Sequence, residues 1–432
     1  MNSPSAYSAI PTVAPGARLE AVTPADSNIF FGFHDVSPFS ADGSRLLVHR
    51  IPSGWDAMAN TRGAAEICVW EPASGTVTPV GSTTAWNFQQ GARLQWLPDG
   101  SGRFLYNRMG AAGRLVAAVC EGDGSTVQEI DGGIYVLARD GTWGIGVDFT
   151  ALAHRWAAYG YAVLSDQPDD DDHAASGLWR IDMASGERRL LVSLAQVLAH
   201  WGQNQGSGHF LTHATISPDG QRIAFMHRFF SPDGGLFTRL LCCDAAGEGL
   251  RVLAEEKVSH FDWLDDRKFL VWARFAGGGM AQLRSSGSLN KAWLRPLLNL
   301  ARKFTGRWKK RLLAECYWVI DVDNPASRER FGWPQLDSDG HPMFARRHDW
   351  LLTDTYPDAS ENLPLILYNP KLGKRIDVAR VVDGVTTADT DAKCDLHPRW
   401  DSTETRIAVD HCENGRRGVA VFDVAAIVGA GA

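Results

Sequence analysis

The sequence is short of paired cysteine: its seven cysteines are scattered over 432 residues with no Cys-x-x-Cys spacing. A disulfide framework and a thiolate zinc site therefore have little basis, and buried free thiols in a reducing compartment fit better. Long hydrophobic runs are missing too. No stretch approaches the roughly 20 apolar residues that span a bilayer, and the opening Met1-Asn2-Ser3-Pro4-Ser5-Ala6 lacks a basic region followed by an apolar one. A cytoplasmic protein is the expectation. Basic residues are not in excess, since 43 Lys and Arg stand against 50 Asp and Glu for a formal net charge of -7, and no nucleic-acid partner is expected. No Gly-x-Ser-x-Gly elbow precedes a helix and no phosphate-binding glycine loop stands out, which speaks against serine-hydrolase chemistry.

What the chain has is glycine (43), tryptophan (16), and a turn that recurs before short apolar runs. Ser40-Ala41-Asp42-Gly43 precedes Arg45-Leu46-Leu47-Val48, Pro98-Asp99-Gly100 precedes Phe104-Leu105-Tyr106, and Arg139-Asp140-Gly141 precedes Trp143-Gly144-Ile145. Ser217-Pro218-Asp219-Gly220 precedes Ile223-Ala224-Phe225, and copies without glycine follow at Asp265-Asp266, His348-Asp349 and Ser402-Thr403. A second unit runs from an apolar strand into a polar turn, as in Ile67-Cys68-Val69-Trp70 before Ala73-Ser74-Gly75 and Leu178 to Asp182 before Ala184-Ser185-Gly186. Seven such units, about 60 residues apart, predict an all-β seven-bladed β-propeller. The expected organisation is a tail over 1–15, one propeller domain over 16–432, and a helical insertion at about 284–313.

Polar side chains close before these turns are placed to converge from different blades. His34, His213, His260, His341 and His397 occupy such positions, and Gln89 and Gln90 do so before the second turn. Each histidine by itself also fits a hydrogen-bonded core residue; five at similar repeat positions point to a site.

Five segments resemble the oligogalacturonate lyase family, propeller lyases related in fold to TolB-type repeats. Gly16-Ala17-Arg18-Leu19-Glu20-Ala21-Val22-Thr23-Pro24 is similar to the family's opening strand, and Thr212-His213-Ala214-Thr215-Ile216-Ser217-Pro218 to its segment near the base. Phe225-Met226-His227-Arg228 with Arg239 resembles the residues lining its substrate cleft, and Ser259-His260-Phe261-Asp262-Trp263 the segment with one metal-binding histidine. Cys394-Asp395-Leu396-His397-Pro398-Arg399-Trp400 is similar to the closing metal segment, with Asp395 in place of its first histidine and Ala392 near the place of its glutamine.

The resemblance implies β-elimination on a uronate-containing glycan: a base removes the C5 proton, charge spreads into the C6 carboxylate, and the bond at C4 breaks. It implies His213 as base, Arg239 as carboxylate clamp, and His227 orienting the sugar or relaying a proton. His34, Gln90 and Arg228 are the expected substrate contacts. A divalent cation is expected on His260, Asp395 and His397 with His341 as fourth ligand, Mn²⁺ first and Ca²⁺ second, since both accept carboxylate oxygen. The expected partner is an acidic oligo- or polysaccharide. The alternative, from a different class, is a non-catalytic propeller that binds a glycan or protein in a membrane-associated or glycan-assembly complex.

Lys291 to Leu313 is the clearest helical stretch, with Leu294, Leu297, Ala301, Phe304, Trp308 and Leu312 on one face and Arg295, Arg302, Lys303, Arg307, Lys309, Lys310 and Arg311 around it. Three readings stay open: it draws a polyanionic glycan toward the site, lies on an anionic membrane surface, or packs with its charge solvated. Asp169-Asp170-Asp171-Asp172-His173 reads as a solvated loop.

Overall fold

A computed structural model describes residues 10, 12–51, 62–169, 171–201, 206–232, 234–275, 315–358, 360–385 and 393–429. The expected basic helix falls in 276–314, outside the described residues. Seven sheets, six of four strands and one of five, form the blades of a β-propeller. They occupy 28–83, 95–131, 136–193, 207–256, 258–330, 343–382 and 399–423. Two compact units divide them: Met1–Asp169, Ile181–Arg188 and Gly340–Ala432 make the first, and Asp170–Arg180 with Arg189–Asp339 the second.

All seven turns found in the sequence join the first and second strands of a blade. The reason is local. The Asp42 carboxylate accepts from Ser40 Oγ at 2.6 Å and from the Ser44 amide at 3.0 Å, while Gly43 takes the left-handed backbone, φ +69°, that closes the turn. Ser217, Asp219 and Gly220 repeat the arrangement, with the hydroxyl again 2.6 Å from the carboxylate and the glycine at φ +71°.

Within a blade the strands are apolar on both faces, as buried sheets stacked on neighbours require. In Asn362–Asn369 the run Leu363, Leu365 and Leu367 faces a cluster with Trp350, Trp400, Ile407 and Val409, while Ile366 is buried on the other face. Tryptophan fills the wider gaps: Trp70, Trp86, Trp263, Trp272, Trp350 and Trp400 are among the largest fully buried side chains. All seven cysteines are free and buried, and burial pushes the Cys242 thiol up to about 12.

The last blade is assembled from both ends of the chain. Arg18–Val22 pairs antiparallel with Arg416–Asp423, setting Leu19 against Phe422, and Arg18 bonds Asp423 at 3.0 Å. The stretch read as a tail adds Thr12–Val13 as a fifth strand beside Lys374–Val382.

Helices at Phe149–Arg155, Leu194–Trp201 and Ala425–Gly429 were not expected. The second starts with a reciprocal cap: the Ser193 amide donates to Gln196 Oε1 at 2.7 Å and the Gln196 amide to Ser193 Oγ at 3.1 Å. No helix among the described residues is long and apolar enough to cross a membrane.

Several histidines are structural. His49 is fully buried, stacks on Phe30 at 4.8 Å, and accepts the Ala92 amide on Nε2 at 2.9 Å. Gly91, at φ +57°, leaves no room for a Cβ, which would stand 2.3 Å from that ring. Burial holds His49, His209 and His411 at about 4 and His227 well below its usual value.

A histidine kept neutral in the fold but titrating normally when unfolded makes the unfolded chain bind more protons as pH falls below its ordinary 6.5, so stability declines down to about 4. Asp410, pushed by burial to about 8, acts oppositely and loses stability as pH rises, but it is one group against four. Urea denaturation between about pH 7 and about pH 5 is therefore expected to show stability falling with pH. The slope is expected to be shallower in His49→Gln, whose amide oxygen still accepts from Ala92; an unchanged slope would sink this account.

Candidate functional site

His341, Asp395 and His397 converge in the first unit, each offering a ligand atom within 4.8 Å of the others. The two imidazoles meet edge to face at 4.5 Å, and the His34 ring lies 5.1 Å from His341 and 6.1 Å from His397. All four residues are nearly buried, Asp395 being 9% exposed. Each comes from the chain just before or beside the first strand of its blade, where the sequence placed it.

The imidazoles are oriented from behind. His341 Nδ1–H donates to both oxygens of Asp354 at 2.9 Å, and the His341 amide donates to Oδ1 at 2.6 Å. Burial by itself would push the Asp354 carboxyl up; the electrostatic pull of His341 and its hydrogen bonds prevail and hold it at about 2. His397 Nδ1–H donates to the Gly32 carbonyl at 2.7 Å. With Nδ1–H engaged in both rings, loss of the second proton leaves the lone pair on Nε2, the form in which histidine binds a metal. Two imidazole nitrogens and a carboxylate oxygen suit a first-row divalent ion such as Mn²⁺ better than a soft one.

The support reaches one layer further. Gly32, at φ +124°, runs so close to the Gln90 carbonyl that a Cβ would lie 3.2 Å from its oxygen. The buried Asp410 carboxyl accepts from the Phe31 and Gly32 amides at 3.0 and 3.5 Å, holding the backbone that leads into the Gly32 carbonyl. His397 itself has φ +45°, a strained conformation for a residue with a side chain. Nearby, fully buried Arg93 grips Asp35 with both terminal nitrogens, at 3.0 and 2.7 Å, and donates Nε to the Tyr135 carbonyl at 2.7 Å. Gln90 donates Nε2 to the Tyr135 hydroxyl at 2.6 Å.

The second unit holds the other candidates. His213 lies in the first strand of its blade at φ +52°, where the register against the next strand slips between Thr212 and Thr215; its Nδ1 is 3.1 Å from Thr212 Oγ1. Such bulges re-aim a side chain. His260 sits in a similar slip between Val258 and Phe261, and its Nδ1–H donates to Asp339 at 3.0 Å, again leaving Nε2 as the basic nitrogen.

Arg239 donates Nη1 to His227 Nδ1 at 3.3 Å and Nε to Glu255 at 3.2 Å. His227 must then carry its proton on Nε2, which donates to His209 Nδ1 at 3.1 Å. Burial first, and the Arg239 charge second, keep His227 neutral. Arg228 is next in the strand, so the pleat sends it to the face opposite His227.

Sequence reasoning missed the anchors Asp339, Asp354 and Asp410, and also His209. A signal existed for two of them: Asp354 ends the apolar run Leu351–Asp354 and Asp410 interrupts Arg406–Glu413, and a carboxylate inside a buried strand needs a partner.

No family model and no curated protein matches the chain. Solved structures do. An oligogalacturonate lyase in complex with manganese is 14% identical with a TM-score of 0.59, the match covering 93% of this chain and 91% of that one. An oligogalacturonate lyase from Vibrio parahaemolyticus is 15% identical with a TM-score of 0.57, over 93% and 92%. The resemblance read in the sequence is met by these two structures, and at such identities the likeness is one of fold.

Isothermal titration with Mn²⁺ is expected to give one tight site that is lost in the His341→Ala, His397→Ala double variant. Asp354→Ala is expected to weaken it roughly 10- to 100-fold by releasing the His341 ring. Wild-type affinity in the double variant would show that the ion binds elsewhere.

Proposed function

We propose that the protein is a cytoplasmic, metal-assisted lyase that cleaves a uronate-containing glycan by β-elimination. The observation that carries this reading is the group His341, Asp395 and His397, with both imidazoles locked through Nδ1 and ligand atoms within 4.8 Å. It is supported by the shared fold with lyases of acidic oligosaccharides, one solved with manganese.

The obstacle in such a reaction is the low acidity of the proton on C5. A divalent cation held by His341, Asp395 and His397 would supply positive charge for the neighbouring carboxylate, Mn²⁺ being the preferred ion.

His213 is assigned the proton abstraction. A neutral imidazole offers a lone pair that can accept a proton. The C5–H electron pair becomes the C4–C5 double bond, the C4–O bond breaks with its electron pair going to oxygen, and the departing oxygen takes up a proton from water. Arg239 is assigned to the substrate carboxylate, through the face of its guanidinium fork turned away from Glu255. His227, held neutral, is suited to orient a sugar hydroxyl rather than to act as a cationic acid.

The test is ultraviolet absorbance of the unsaturated product while the purified protein is incubated with a panel of uronate glycans, with and without Mn²⁺. The expected result is a metal-dependent rise, reduced at least about 100-fold in His213→Ala. No rise over a broad panel would overturn the reading in favour of a glycan-binding propeller.

A further inference from the structure

We infer that Tyr356 and Lys393 form a subsite that takes one uronate ring of an acidic oligosaccharide beside the His341, Asp395 and His397 group. The inference rests on the proposed reading of that group and names how its ligand is held.

Tyr356 is 39% exposed, one of few large hydrophobic side chains so placed among the described residues. It follows closely on the strand Leu351–Asp354, whose last residue anchors His341, so the rigid element that orients a candidate ligand also presents this ring. The ring stands edge-on to His341, 6.1 Å between centroids and 70° between planes. Lys393, exposed and two residues before Asp395, holds its ammonium 5.9 Å from the centre of the same ring.

A pyranose presents a C–H face and an equatorial rim of oxygens. The C–H face suits the electron-rich face of tyrosine, which offers contact area at small entropic cost. The rim of a uronate carries a carboxylate, and an ammonium 5.9 Å from the ring centre supplies the compact opposite charge. An exposed aromatic ring with a lysine over it thus matches a charged sugar better than a neutral sugar or an apolar ligand.

His397 has aromatic neighbours as well. Phe33 meets His397 at 5.4 Å, Tyr159 meets Phe33 edge to face at 5.8 Å, and Trp156 stacks on Tyr159 at 3.8 Å. Trp156 and Tyr159 are half-buried, so aromatic rings adjoin His397 as well as His341, a layout that suits a chain of sugars rather than a single one.

Isothermal titration in a His213→Ala background with Mn²⁺ tests the subsite. The ligands are tetragalacturonate, tetraguluronate and a glucuronate-containing tetrasaccharide, followed by the methyl ester of whichever binds best. Tyr356→Ala is expected to weaken that binding roughly tenfold or more, and Tyr356→Phe to leave it within about twofold. Lys393→Gln is expected to remove most of the preference for the free acid over the ester, with the ester's own affinity unchanged. Mn²⁺ affinity is expected to stay constant throughout, which separates the subsite from the metal group. Binding by Tyr356→Ala and Lys393→Gln equal to the parent's would overturn the subsite and leave the lyase reading standing. A parent that binds none of the three ligands would overturn both.

Discussion

A sheet that is apolar on both faces must be covered on both, and the two ends of this chain meet that demand by sharing a blade. Arg18–Val22 completes the sheet of Arg416–Asp423 and Arg406–Glu413. That pairing brings the start of the chain beside its end, and the site depends on the result. Asp410, near the end of the sequence, reaches the Phe31 and Gly32 amides near its beginning, and the Gly32 carbonyl in turn holds His397. The bonded residues are more than 360 positions apart, so the histidine acquires its orientation only when the blade closes. Fold closure and site geometry are one event in this unit.

The candidate site histidines sit where the regular ladder fails. His397 and His213 have positive φ, and His213 and His260 lie in register slips of first strands. A regular strand sends alternate side chains to two packed faces, which would bury these imidazoles among leucines and valines. A local bulge releases one residue from that alternation and turns it toward the end of the sheet. The strain costs on the order of 1–3 kcal/mol at each such residue, and the hydrogen bonds behind the rings resist its relaxation.

Histidine serves two purposes here, and hydrogen bonding separates them. His49 and His411 are packing residues, held neutral by burial. His260, His341 and His397 each turn Nδ1 to an oxygen of Asp339, Asp354 or Gly32, which fixes the tautomer and aims a basic Nε2. His227 differs again, since Arg239 points a donor at its Nδ1 and so forces its proton to Nε2. The atom opposite one ring nitrogen thus sets which nitrogen carries the proton and which carries the lone pair.

The sequence alone determined the repeat and hence the fold. Such turns are decided by neighbours within a few residues, such as Ser40, Asp42 and Gly43, so all seven could be read directly, as could the positions of His34, His341 and His397 ahead of their turns. The reciprocal cap of Ser193 and Gln196 was equally local, though the helix it starts was not anticipated. Tertiary structure decided everything that joins distant segments: Asp354 behind His341, Asp339 behind His260, Asp410 behind the Gly32 peptide, and Tyr356 beside the histidines. It also decided which histidines pack and which point into a site, as His49 against His341 shows. Those choices turn on which atom faces a ring across a blade, and spacing along the chain holds no record of it.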